Sequence, residues 1–469
     1  MNTISIMWTD PMRRVLAELQ QRPLLQCLLG YAERRGVELY AVGGALRDMC
    51  LGRPVHDIDV AMPGDVMGFA RGFANSLGAA YVPMDAERGE ARVVYRKRDV
   101  VDFARMRGET IITDLQYRDF TINAMACPLA VLLTQPTPAL TDPHGGWHDL
   151  RARIIRMVSA MSFRDDPLRL LRAFRLAATL ELTIDPPTLT AMETIAPHLV
   201  EVAAERVHSE LFKLLAAPRS GPHVGTMARL GLFDTLLPEL SATRGIPYQP
   251  GDQMDVFTHA IRTYEAVEDL INDPGSHLPS LAEAVVEYFR AEERQALVKW
   301  AALLHVLEER AQPWEPIGSR LKLSRMQSDA VKTLLAHYGR TFELAILEAE
   351  GRLTLRTVHS WCKEVGESLV GILVLALGHA IARGQGPTSE PGIASLGQLV
   401  AHVWELYRRH ILPVVTAPRL VTGDDLQQLF HLTPGPRFKT LLDELEVAQV
   451  EGAIRTRAEA LQWVAGQVG

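Results

Sequence analysis

The chain reads as an α+β protein: a mixed sheet with helices first, then helices alone to the C-terminus. Two observations predict this. Up to about residue 160, short runs of β-branched and aromatic residues alternate with helical patterns; beyond it strand signals nearly vanish. Pro, Gly and charge clusters then punctuate long helical stretches. At 469 residues there is room for roughly two to four domains with an ample core.

Taken in order, residues 12–35 place apolar side chains (Val15, Leu16, Leu19, Leu24, Leu25, Leu28, Leu29) at helical spacing. Val37–Val42 and Asp57–Ala61 read as strands flanking the Gly43-Gly44 turn and a short helix. Met67–Leu77 reads as a helix, and Ala80–Pro83, Ala91–Tyr95 and Val100–Ala104 as strands. In the helical part, Asp166-Pro167-Leu168-Arg169 places Pro167 in a first helical turn, where its missing N–H costs little. Arg169, Arg172 and Arg175 then recur every three residues, with Leu170, Leu171, Phe174 and Leu176 on the packing side.

Two carboxylates carry the chemistry. Asp57 and Asp59 stand at i and i+2 of a strand, so they share a face while Ile58 packs behind. Convergent carboxylates suit magnesium, which prefers oxygen ligands and sits between acidic side chains and substrate phosphates. Upstream, Gly43 and Gly44 let the backbone approach a phosphate with no side chain in the way. A phosphate grip beside a metal site points to nucleotidyl transfer. On a later strand Asp102 shares a face with Val100 and Ala104.

Gly43-Gly-x-x-Arg47-Asp48 followed by Asp57-x-Asp59 resembles the nucleotidyltransferase superfamily that includes DNA polymerase beta. Further motifs follow in order: Arg118-Asp-Phe-Thr-Ile-Asn-Ala-Met125, Asp142-Pro-His-Gly-Gly-Trp-His-Asp-Leu150 with Ile155-Arg156, Phe163-Arg-Asp-Asp-Pro-Leu-Arg-Leu-Leu-Arg-Ala-Phe-Arg175 and Glu205-Arg-Val-His-Ser-Glu-Leu211. Together they are similar to class II tRNA nucleotidyltransferases, the CCA-adding enzymes, and to bacterial poly(A) polymerases, over roughly residues 38 to 240. The fold implied is a polymerase-beta-like mixed sheet with helices, followed by all-α neck, body and tail. The resemblance implies a catalytic head (1–160), a helical neck for nucleotide selection and RNA binding (161–245), a degenerate HD-like domain (246–345) and a C-terminal helical domain that binds tRNA (346–469).

The resemblance also implies roles. Asp57 and Asp59 would hold two Mg2+ ions, with Asp102 as third carboxylate. Gly43, Gly44 and Arg47 would contact the triphosphate, with Asp48 orienting Arg47 or helping to close the turn. Arg118 and Asp119 match a motif that grips phosphate and senses the ribose hydroxyl, and Asn123 would share their face if the segment is helical. Tyr117 stands where the family has a first arginine. Asp166 and Arg169 would read the Watson–Crick edge of CTP or ATP in place of a template base, and Arg172 and Arg175 would add phosphate contacts. A carboxylate accepts from the amino group of cytosine or adenine, where uracil offers a carbonyl. Asp165 replaces the usual glutamate. Asp142, Asp149 and Arg156 would fix the turn joining head to neck.

The expected partners are the tRNA 3′ end, CTP and ATP. A net charge of −7 suits a compact RNA end held by a local patch better than a long duplex. Arg151, Arg153, Arg156, Arg164, Arg169, Arg172 and Arg175 supply that patch. The stretch from Arg105 to Asp114 is shorter than the flexible loop of many CCA-adding members, which raises a specialist adding only CC or only the terminal A. Other readings are a poly(A) polymerase of the same fold, whose Gly-basic-basic-Phe element is missing from residues 60–100, and a non-catalytic RNA-binding protein, which the intact carboxylates oppose. No run of about twenty apolar residues predicts a membrane span. Scattered Cys27, Cys50, Cys127 and Cys362 and the form of the N-terminus suit the cytoplasm.

Further on, Val256-Phe-Thr-His259 and Lys299-Trp-Ala-Ala-Leu-Leu-His305 look like an HD phosphohydrolase domain. Val306 stands where the ligating aspartate belongs, so the expectation is a helical domain without metal-dependent phosphatase activity. In the tail, Thr433-Pro-Gly-Pro436 reads as a cap or turn before a helix, with Arg437 and Lys439 beside it.

Overall fold

The computed structural model describes residues 3–96, 99–249, 253–384 and 392–468. The chain divides into two compact units, Met1–Glu210 with Thr226–Leu236, and Leu211–Gly225 with Leu237–Gly469.

The first unit opens with β1 (Thr3–Ile4), α1 (Asp10–Gln20) and α2 (Pro23–Glu33). The helical pattern over 12–35 is thus two helices: Pro23 starts the second, where its fixed φ is preorganised and its missing N–H is not needed. Then come β2 (Tyr40–Val42), α3 (Gly44–Cys50), β3 (Asp57–Met62) and α4 (Val66–Leu77). Asp65 caps α4 by accepting from the Gly68 N–H, and Gly78 ends it in the left-handed region at φ 62°. Strands β4 (Ala80–Asp85), β5 (Glu90–Tyr95) and β6 (Asp99–Arg105) complete the predicted set, one or two residues longer than the pattern alone indicates.

Next come α5 (Ile111–Leu115), β7 (Ala126–Pro128), α6 (Leu129–Thr134), β8 (Leu140–Thr141) and α7 (Gly146–Arg151). The sheet runs β1-β8-β7-β2-β3-β6-β5-β4. Its pairs are antiparallel except β3 with β6, whose parallel register sets Asp57 against Val100 and Asp59 against Asp102. Alternation along β3 exposes Asp57 and buries Ile58 and Val60. Phe69 and Phe73 of α4 pack on Phe103 of β6 and on Tyr31, with ring centroids 5.2–6.2 Å apart. Each such buried ring contributes about 1.5–3 kcal/mol and presses α4 onto the face opposite Asp59 and Asp102.

The segment after the sheet holds β9 (Ile154–Ile155), α8 (Met161–Asp165), α9 (Arg169–Leu180), β10 (Thr183–Ile184), α10 (Pro186–Ile195) and α11 (Ala204–Ala216). Helix α9 begins at Arg169, so Pro167 lies in the turn before it rather than in its first turn. The packing side is as expected, with Leu170, Leu171, Phe174 and Leu176 buried. Asp142, Asp149 and Arg156 tie the turns here. Asp142 accepts from the Gly146 and Trp147 N–H groups (2.7 and 3.0 Å), and Asp149 accepts from Thr121 (2.8 Å) and Arg156 (2.9 Å).

The second unit is helical. Helices Val256–Asn272, Glu292–Glu309 and Leu369–Arg383 pack against one another over a core that includes Val267, Trp300, Leu303 and Ile372. Lys299 is fully buried, donating to Glu268 (2.6 Å), Ser220 (3.1 Å) and the Ala217 carbonyl (2.8 Å). The helical stretch Leu355–Arg383 has the length and composition of a membrane span, a stretch that counting uninterrupted apolar residues overlooks. Its most apolar part is 78% buried within the protein, the position of a core helix. In the tail, the turn at Thr433 leads into helix Pro436–Val450, and Arg437 donates to the Gln467 carbonyl at 3.3 Å.

Candidate active site

Strand β2 is followed by Gly43, whose φ of 69° belongs to the left-handed region that glycine tolerates. A side chain there would also meet Asp59, since an added Cβ would lie 3.1 Å from Asp59 Oδ2. The Gly44 N–H faces the Asp59 carboxylate and pulls its pKa down. The glycine turn and the second aspartate are therefore one unit.

Asp59, Asp102, Gly43 and Gly44 form one wall of a cleft of about 380 Å³. Arg118, Asp119, Asn123, Asp166, Arg169 and Arg172 also line it. Burial, then the neighbouring Asp102 charge, hold Asp59 above its ordinary value, only partly offset by Arg118, Arg172 and the Gly44 N–H. Asp102 is gripped by Arg92, its register partner on β5, through two bonds of 2.7 Å.

On the opposite side, Asp119 is buried, accepts from the Phe120 N–H (2.8 Å) and Asn123 Nδ2 (3.0 Å), and is ion-paired with Arg172 Nε (2.7 Å). Burial pushes its carboxyl up, but Arg172, Arg169, Asn123 and the Phe120 N–H outweigh that and leave it below the usual carboxylate range. Asp119, in turn, is the largest influence holding the Arg172 guanidinium above its ordinary value. Asn123 Oδ1 accepts from Arg47 at 2.7 Å, and Arg47 makes two 2.9 Å bonds to Asp48. Asp48, Arg47, Asn123, Asp119 and Arg172 thus form one polar chain from α3 to α9. Thr121–Asn123 is a 3-10 turn, so Asn123 meets Asp119 by that turn rather than along an α-helix.

Asp166 accepts from Arg206 (2.8 Å) and from the Leu168 N–H (3.3 Å). Arg169 donates to the Ser162 carbonyl at 3.2 Å; burial pulls its pKa below the ordinary value, against the pull of Asp119 and Asp166. Asp165 stands 4.0 Å from Arg107.

Four predicted residues do not line the cleft. Arg47, which is buried, and Asp48 lie behind the glycine turn and brace it. Arg175 is turned to Glu210 at 2.5 Å, because three residues along α9 is not a full turn and carries it round the helix. Asp57 is exposed at the strand's start, beside the cleft.

The sequence reading missed Arg92, Asp114 and Arg206. Asp114 is buried, accepts from Arg118 (2.7 Å) and from the Arg107 N–H (2.8 Å), and so aims Arg118. Its signal was available: an acid four residues before an arginine at a helix end. Arg206 lies in a motif recognised in the sequence but given no role. Arg92 becomes visible only through strand register. Acidic oxygens on one wall and guanidinium donors on the other suit a polyphosphate carried with a divalent cation.

A family model described as the poly A polymerase head domain matches residues 39–156. One described as a probable RNA- and SrmB-binding site of polymerase A matches residues 181–243, and one described as tRNA nucleotidyltransferase domain 2 (putative) matches residues 291–465. The chain is 33% identical to a CC-adding tRNA nucleotidyltransferase of Geobacter sulfurreducens, covering 94% of this chain and 95% of the relative. It is 31% identical to an A-adding tRNA nucleotidyltransferase of Deinococcus radiodurans, over 90% and 94% of the two chains. Among solved structures, the Thermotoga maritima CCA-adding enzyme complexed with tRNA is similar in fold, with a TM-score of 0.67 at 21% identity over the whole of both chains.

Proposed function

The chain belongs to the tRNA nucleotidyltransferase family, and from that premise we propose that it adds CC to the 3′ end of tRNA from CTP, without a nucleic-acid template. The observation that carries nucleotidyl transfer is the register pairing of Asp59 with Asp102 beneath the Gly43-Gly44 turn, facing a guanidinium-lined wall. The short stretch from Arg105 to Asp114 supports the CC specialist over the full CCA-adding reading, as does likeness to CC-adding relatives from two organisms.

The family implies dependence on a divalent metal. The donor set fits magnesium, because it consists of carboxylate oxygens and Asp59 is short of compensating charge. Asp57 and Asp59 would hold two ions. Both Asp102 oxygens are engaged by Arg92, so Asp102 would chiefly hold Asp59's surroundings negative. When bound, the metal supplies a Lewis acid that activates the RNA 3′-hydroxyl and neutralises the leaving pyrophosphate.

The protein's own residues do the rest. Gly43 and Gly44 admit the triphosphate to the backbone, and Arg118 and Arg172 neutralise it. Asp119 with Asn123 stands ready for the ribose hydroxyl. Asp166, held by Arg206, accepts from the exocyclic amine of cytosine, and Arg169 donates to the ring acceptors. Discrimination against uracil follows, because its carbonyl would face a carboxylate. Residues 161–245 serve as neck and residues 346–469 as tRNA-binding tail, in a cytoplasmic enzyme.

The test uses tRNAs ending before CCA, after C and after CC, with magnesium and with CTP and ATP separately and together. Growth that stops at CC upholds the proposal. Extension requiring a CC end makes it an A-adder, full CCA makes it a complete enzyme, and a long A tract makes it a polymerase. No incorporation leaves a binding protein.

A further inference from the structure

We propose that His259, His305 and His379 hold one transition-metal ion of the zinc class in the second unit. The three side chains come from three helices, Val256–Asn272, Glu292–Glu309 and Leu369–Arg383, and all are buried. One ring nitrogen of each lies within 4.8 Å of one ring nitrogen of each of the others. His259 Nε2 and His379 Nδ1 are 3.3 Å apart. Two nitrogens bound tetrahedrally to zinc at about 2.0–2.1 Å stand about 3.4 Å from one another. That pair is already at ligand spacing.

An independent observation concerns the hydrogen bonds. His305 Nδ1 faces the Ala302 carbonyl at 2.8 Å, so this nitrogen carries the hydrogen and Nε2 keeps a bare lone pair. That Nε2 is buried and has no hydrogen-bond partner. A backbone carbonyl on the far nitrogen is how proteins fix the tautomer of a ligating histidine.

The donor set selects the ion. Three imidazoles suit zinc, cobalt or nickel and not magnesium or calcium. His379 also lines a cavity of about 600 Å³ together with Glu309, Tyr248 and Tyr338, which leaves room for a water as fourth ligand. Val306 removes the aspartate that an HD domain would use. His379, outside the recognised motif, supplies a third ligand in its place.

The test is a cobalt titration of the full-length protein, freed of purification-tag histidines and stripped with a chelator. The Asp59→Asn variant serves as background so that the head carboxylates cannot answer. The expected result is a visible ligand-field band that saturates at about one equivalent, is displaced by zinc, and is lost in His379→Gln while nucleotidyl transfer by otherwise wild-type H379Q protein is unchanged. Absence of the band, or its survival in H379Q, overturns the proposal and leaves three buried imidazoles with no ion between them. Should H379Q fail to fold, metal analysis of the D59N protein after zinc loading and gel filtration decides: about one retained equivalent upholds the site, and none overturns it.

Discussion

Replacing Asp59 by asparagine should make the metal-free protein more stable while abolishing its activity. Asp59 and Asp102 are register partners on adjacent parallel strands, with side chains on one face. Strands lie about 4.8 Å apart, and two like charges at about 5 Å repel by about 3 kcal/mol at an effective dielectric constant of ~20. Arg92 neutralises part of the Asp102 field, which leaves about 1–2 kcal/mol. Burial and then Asp102 raise the Asp59 pKa, so the sign is set. A carboxyl whose folded pKa is raised favours folding below its unfolded value of about 4, and that benefit is lost as pH rises through the folded value. At neutral pH without metal, Asp59 is therefore a burden on the fold. Asparagine keeps the shape and an acceptor for the Gly44 N–H but sheds the charge. In EDTA, D59N should unfold about 2–8 °C above wild type in differential scanning calorimetry, the scale for a unit of this size. The gain should shrink toward pH 4. Magnesium should raise the wild-type midpoint and leave the variant unmoved, and nucleotidyl transfer to tRNA should fall at least ~10³-fold, the worth of several kcal/mol of metal assistance. A D59N protein that melts at or below wild type in EDTA would refute the repulsion, and one that still transfers nucleotide would refute the metal assignment.

Three further outcomes are expected. Arg206→Met frees Asp166 from its only guanidinium partner among the described residues; the ratio of CTP to UTP incorporation should drop about 10-fold, with transfer of the correct nucleotide much less affected, as single-turnover kinetics will show. Lys299→Met strands Glu268 in the core of the second unit, and urea unfolding should register a loss of about 3–5 kcal/mol. Asp425, drawn to about 2 by Arg457 and by the Thr422 backbone and hydroxyl, has a depressed pKa; its contribution to the tail is complete above about pH 4 and lost as pH falls through about 2. Hydrogen exchange over residues 420–468 should show that acid opening in wild type and a weaker pH response in Asp425→Asn.

Much of the head was legible because its chemistry is local. Asp57 and Asp59 declare their common face through the two-residue period of a strand, and Gly43 declares a backbone conformation few other residues accept. Asp102 was legible for the same reason, as were the apolar side of α9 and the bracing of Arg47 by Asp48. What escaped depends on partners far apart in sequence. Arg92 grips Asp102 only because β5 and β6 pair in one register out of several that hydrophobic alternation permits. Asp166 meets Arg206, and His379 meets His259, across helices whose packing no periodicity specifies. Arg175 was placed with Arg169 and Arg172 because spacing alone cannot say where a helix face ends.

The parallel pairing of β3 with β6 has a kinetic consequence. The antiparallel pairs β4–β5 and β5–β6 close through short connections, but β3 and β6 are separated by α4, β4 and β5, all of which must be set in place before the two ladders meet. Loop closure over that span is slow compared with the nucleation of any helix. Asp59 and Asp102 thus come together only when two strands well separated in sequence have paired. On refolding from denaturant, helical circular dichroism should recover first and nucleotidyl transfer last, so that a half-built head has no means of holding a nucleotide.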